Sequence, residues 1–169
     1  MARALYLSHS ARRLTVSKPE FDLRKAHQYF AVSCFNSTWN YIDKTDRTTE
    51  DEEKMLQLTM ASAWHWSERE DRKPQNTSIA YWQISRVHAL CGRGPEAVRY
   101  GKLCLDVSHG EDIDPFALGY AYEALARGEM VSGNNDQAQS WLAKANEVAE
   151  SIDEEKTKKM LLDDLATIA

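Results

Sequence analysis

The chain has 169 residues, 43% of them hydrophobic, enough for one core in one domain; a chain of this size buries roughly 70% of the surface it exposes when unfolded. A net charge of -5 provides no overall electrostatic footprint for nucleic acid, and no apolar run approaches the ~18 residues that span a bilayer, so neither partner is expected. Seven glycines, four prolines and no alternating β-branched runs leave little turn chemistry for a sheet, and an all-α fold follows.

In chain order, residues 1–19 hold Arg3, Arg12, Arg13 and Lys18 and no acid, a basic N-terminal arm that lacks a secretory apolar core and superficially resembles a transit segment. Residues 20–169 read as a single helical domain. A first helix is expected over 20–42 and a second after Thr49-x-x-Glu52, a capping-box start, with Leu56, Met60 and Ala63 on its inner face. That helix ends in Trp64-His65-Trp66. On a helix the two indoles point about 200° apart, so they are expected to pack in the core rather than form one platform, with His65 exposed. Helices over 81–91 and 96–108 flank Gly92-Arg93-Gly94-Pro95, and helices over 116–131 and 136–151 flank Ser132-Gly133-Asn134-Asn135. A last helix over 153–168 carries Glu154 with Lys158 and Glu155 with Lys159 as i,i+4 pairs, and an apolar stripe of Leu161, Leu165 and Ile168.

An internal repeat organises these helices. Ser67-Glu68-Arg69-Glu70-Asp71-Arg72-Lys73-Pro74 and Ser108-His109-Gly110-Glu111-Asp112-Ile113-Asp114-Pro115 are both S-x-x-E-D-x-x-P, and the same 41-residue spacing superimposes Tyr81 on Tyr122, Ile84 on Leu125, Gly92 on Gly133 and Ala97 on Ala138. The octapeptide around His109 has the carboxylates of a metal loop, but its partner keeps the proline and the acidic pair while losing His109 and Asp114. Proline and acids suit a helix start, so a joint is expected there and no metal.

Tyr81-x2-Ile84-Ser85, then Ala97 and Cys104, and Tyr122-x2-Leu125-Ala126, then Ala138 and Ala145, resemble the tetratricopeptide repeat, W-x2-L-G-x2-Y, then A-x3-F, then P. Tyr29-x2-Val32-Ser33 echoes it once more. The small eighth position is Ser or Ala rather than Gly, Gly101 stands for a large residue, and the unit exceeds the usual ~34 residues. The resemblance, to tetratricopeptide-like proteins of bacterial type, implies an α-α superhelix of about three stacked hairpins plus a C-terminal capping helix, and no reaction.

In such arrays the first helix of each hairpin lines a concave groove. The resemblance puts Trp82, Arg86, Tyr120, Glu123 and Arg127 there, with Phe30 and Cys34 if the Tyr29 alignment holds. Two guanidinium groups beside aromatic rings fit a protein or peptide partner, acidic in character, or a small acidic ligand; the bland alternative is that both arginines pair with Glu123 or nearby acids. The Lys and Asn of a chaperone-binding carboxylate clamp are not matched. The expectation is a non-catalytic protein-interaction or ligand-binding module without cofactor or metal, with a homodimer as a further option. The alternative is a helical-bundle enzyme using His88, Glu129 and Glu123, although no catalytic motif of fixed spacing is present. Cys34, Cys91 and Cys104 form an odd set without C-x-x-C spacing, so reduced thiols and a cytoplasmic location are expected.

Overall fold

The computed structural model describes residues 17–110 and 113–168; residues 1–16 of the basic arm, Glu111 and Asp112 of the second joint, and Ala169 lie outside the described residues. Among the described residues there are seven helices and no strand: α1 Leu23–Ile42, α2 Thr49–Ser67, α3 Pro74–Leu90, α4 Gly94–Ser108, α5 Pro115–Val131, α6 Asn135–Glu150 and α7 Glu155–Leu165. The fold is all-α. Consecutive pairs form three hairpins that stack so that α3 touches α1 and α5, and α7 lies over α5 and α6.

The 41-residue spacing is repeated in the backbone. Helix starts at Pro74 and Pro115, and again at Gly94 and Asn135, differ by it, and so do Gly92 and Gly133, whose φ of +69° and +80° is the left-handed conformation that ends α3 and α5. Pro74 and Pro115 each open a helix, where the missing N–H costs nothing. Asp114 caps α5 by accepting from the Phe116 amide at 2.9 Å, so this carboxylate of the octapeptide serves a helix start.

Small residues sit where helices cross. Ser85, Ala97, Ala126 and Ala138 are buried, and the Ser85 hydroxyl donates to the Ala97 carbonyl at 2.8 Å. Gly101 is small for the same reason, since a Cβ there would lie 3.0 Å from Leu125 Cδ2.

The first hairpin departs from the sequence alignment. Tyr29 is 66% exposed and Val32 44% exposed, so they do not occupy the places of Tyr81 and buried Ile84. A shared hydrogen bond gives the register instead: Ser62 donates to the Ala31 carbonyl as Cys104 donates to that of Ser78. Ala31 precedes Ser78 by 47 residues and Ser62 precedes Cys104 by 42, so the first hairpin carries five extra residues between matched points. Accordingly Thr59 and Ser62 are buried while Met60 is 44% exposed. The capping box is also one residue earlier than expected: Thr48 Oγ1 accepts from the Asp51 amide, and Asp51 accepts from the Thr48 amide.

Two further expectations are corrected. Trp64 is 55% exposed and not in the core, Trp66 is half-buried beneath the Arg69 guanidinium, and His65 is half-buried against α1, its Nδ1 3.0 Å from that of His27. In α7, Lys158 reaches Glu150 of α6 and Lys159 reaches Asp163, rather than Glu154 and Glu155. Its apolar stripe is as read, with Leu161, Leu165 and Ile168 all buried.

Candidate functional site

α3, α5 and α7 bring their polar side chains together at one buried centre. Glu123 is fully buried. Its Oε1 accepts from Arg86 Nη1 at 2.6 Å and Arg127 Nε at 2.8 Å, and its Oε2 accepts from Trp82 Nε1 at 2.9 Å. Asp164 of α7 closes the network, with Oδ1 accepting from Arg86 Nη2 at 3.1 Å, Oδ2 from the Tyr120 hydroxyl at 2.9 Å, and its carbonyl from Arg127 Nη2 at 3.1 Å. Arg127 also donates to Thr167 Oγ1. Two guanidinium groups thus meet two carboxylates. Each arginine retains little exposure, 11% for the Arg86 side chain and 12% for Arg127. Burial of these charges is costly unless they are paired, and here each guanidinium meets a carboxylate, although Arg86 Nε is buried without a partner among the described residues. Burial, and then the Asp164 carboxylate beside it, push the Tyr120 hydroxyl far above the ordinary phenol range, so it remains a proton donor to Asp164.

Above this centre lies a groove of about 280 Å³ bounded by α1, α3, α5 and α7. Phe35 and Trp39 of α1, Trp82 of α3, and Phe116 and Tyr120 of α5 form its walls, and Met160 and Asp164 of α7 stand at one end. The wall is almost wholly apolar. Trp82 meets Tyr120 at 81° with ring centroids 5.1 Å apart, Phe116 meets Tyr120 at 71° and 4.7 Å, and Trp39 lies 5.9 Å from Trp82.

The five groove residues of the sequence reading are therefore one connected cluster with two divisions. Trp82 and Tyr120 line the cavity, whereas Arg86, Glu123 and Arg127 lie beneath it as an ion network. Phe30 and Cys34 are not groove residues; Phe30 is 44% exposed and stacks on His65, and the α1 wall is Phe35 and Trp39. The 47-residue register explains the change, because it matches Phe35 to Trp82. Asp164 escaped the sequence reading altogether. Its signal was present: an acid three residues after Leu161 and one before Leu165 shares the apolar face of α7.

His88 and Glu129, the pair of the enzyme alternative, point to their own hairpins. His88 stacks on Tyr100 of α4 with centroids 5.6 Å apart, and burial, then the Arg93 charge, lower its pKa. Glu129 accepts from Asn134 Nδ2 at 2.7 Å and so ties down the α5–α6 loop. No hydrogen bond joins the two among the described residues. Burial pushes the Cys104 thiol up to about 11, and Sγ donates to the Ser78 carbonyl. No helix among the described residues is long and apolar enough to cross a membrane.

Compared with protein-family models, curated proteins and solved structures, the chain matches none.

Proposed function

We propose that the chain is a non-catalytic binding module of tetratricopeptide-like build, whose concave groove receives the apolar body of a small ligand or of a partner's side chain. The observation that carries this reading is the 280 Å³ cavity walled by aromatic rings from three successive first helices and closed by α7. Preformed apolar clefts with a few placed polar atoms are the usual form of ligand sites, and this one is near the lower end of the ~300–1,000 Å³ range, which suits a compact group. The network below gives the walls a fixed position: Trp82 is held through its indole N–H and Tyr120 through its hydroxyl. An acidic partner, the sequence-based expectation, would have to displace Glu123 or Asp164 from the arginines to use them.

A fragment screen by solution NMR tests the reading. Bound fragments should shift the indole N–H signals of Trp39 and Trp82, and Ile79→Trp, which adds bulk to the groove wall, should abolish those shifts with helical content unchanged. Shifts confined to the surroundings of His88 and Glu129 would reject the groove and favour the enzyme alternative.

A further inference from the structure

We propose that the groove's ligand is a small quaternary ammonium compound of the choline class, held by cation–π contact and by Asp164. The inference rests on the groove being the binding site and names what that site takes.

Three observations converge. The first is the wall itself: Phe35, Trp39, Trp82, Phe116 and Tyr120 line one small cavity. Aromatic faces carry negative electrostatic potential and attract a cation within ~6 Å of the ring centre, and a methylated ammonium loses little hydration on entering such a wall. The second is the disposition of the rings. Trp82 and Phe116 meet Tyr120 at 81° and 71°, while Trp39 lies at 34° to Trp82, so the rings turn a corner at Tyr120 and the wall suits a compact, rounded group. The third is charge. Arg86 and Arg127 are each bound to a carboxylate and neither lines the cavity, whereas Asp164 lines it with its side chain 26% exposed. Among the described residues the one charged side chain lining the cavity is thus an anion, and its carboxylate is shared with Arg86 and the Tyr120 hydroxyl. A quaternary ammonium has no N–H to satisfy, so it suits a wall almost devoid of acceptors, where a primary amine would lose its water without replacement. The same shortage argues against a peptide in the groove, since an extended backbone would find few partners for its amides and carbonyls.

Calorimetry and tryptophan fluorescence with choline, its uncharged isostere 3,3-dimethylbutan-1-ol, ethanolamine and a trimethyl-lysine peptide test the proposal. Choline should bind saturably, with the isostere and ethanolamine each roughly tenfold weaker, the scale of a desolvated cation–π contact. Trp39→Leu keeps the wall apolar and should weaken choline about five- to tenfold, and the isostere, which loses only apolar contact, clearly less. Asp164→Asn should weaken choline alone; because Asp164 also holds Arg86 and Tyr120, half-buried Trp39 provides the decisive variant if that protein folds poorly. Equal binding of choline and the isostere would overturn the ammonium assignment and leave the apolar groove standing. Tighter binding of the trimethyl-lysine peptide than of choline would overturn the small-molecule source. No saturation by choline, or saturation indifferent to Trp39→Leu, would overturn the inference, while the Ile79→Trp experiment decides separately on the groove.

Discussion

The hairpins α3–α4 and α5–α6 keep a 41-residue register at their helix starts and glycine turns, whereas α1–α2 carries five extra residues and leaves Tyr29, Phe30 and Trp64 exposed. The difference is one of covering. α3 and α5 have a neighbour on each side, so every small or large position is constrained by two packed surfaces; among the described residues α1 packs against α2 and α3 alone. Stacked repeats therefore hold their pattern where they are enclosed and lose it at the first unit, and groove residues from that unit cannot be placed by extending the repeat.

The largest effect that would sharpen this contrast is at the enclosed centre. Glu123→Ala leaves two buried arginines short of an acceptor and should cost about 3–5 kcal/mol in chemical denaturation. A loss no larger than that of an exposed ion pair would show that the network is solvated and the enclosure overstated. Next is the register of the first hairpin. Thr59→Trp should overpack the core by about 1–3 kcal/mol, while Met60→Trp, the residue that a strict 41-residue spacing would bury, should be near neutral. The reverse order would restore the unbroken repeat. Removing the α2 cap with Thr48→Ala should cost about 1 kcal/mol, through the lost bond to the Asp51 amide.

Acidification probes both regions together. Burial and then the neighbouring His27 lower the pKa of His65 in the first hairpin; burial and then Arg93 lower that of His88 in the second. The unfolded chain protonates these imidazoles near the ordinary 6.5, and the folded protein does so only at lower pH. The unfolded state thus binds more protons as the pH falls below about 6.5, and stability should decrease there. Each of His65→Gln and His88→Gln should flatten the melting-temperature profile between pH 7 and 5; profiles parallel to that of the parent would remove the histidines as its cause. The smallest effect expected is at the surface of α7, where Lys159→Ala breaks an exposed i,i+4 pair with Asp163 and should change stability by under ~0.5 kcal/mol.

How much of the site was legible varies with the residue. Arg86 and Arg127 recur at one repeat position, and that recurrence is enough to bring them together with Glu123 and Trp82. It does not reveal their occupation, because Asp164 lies 37 residues beyond Arg127 in a helix outside the repeat. Phe35 and Trp39 were hidden by the false echo at Tyr29, a local pattern with the right spacing on the wrong face of α1.

By itself the amino-acid sequence determined the helices, the two glycine turns, the proline starts and the pairing within each enclosed hairpin, because these depend on near-neighbour chemistry that repeats: left-handed φ at Gly92 and Gly133, small residues at Ser85, Ala97, Ala126 and Ala138. Only the tertiary structure decided which side of α1 meets α3, that α7 delivers Asp164 to the arginines, and that five rings bound a cavity. Those outcomes depend on how whole helices settle against one another, where a shift of one residue turns a helix by about 100° and exchanges its buried face for its exposed one.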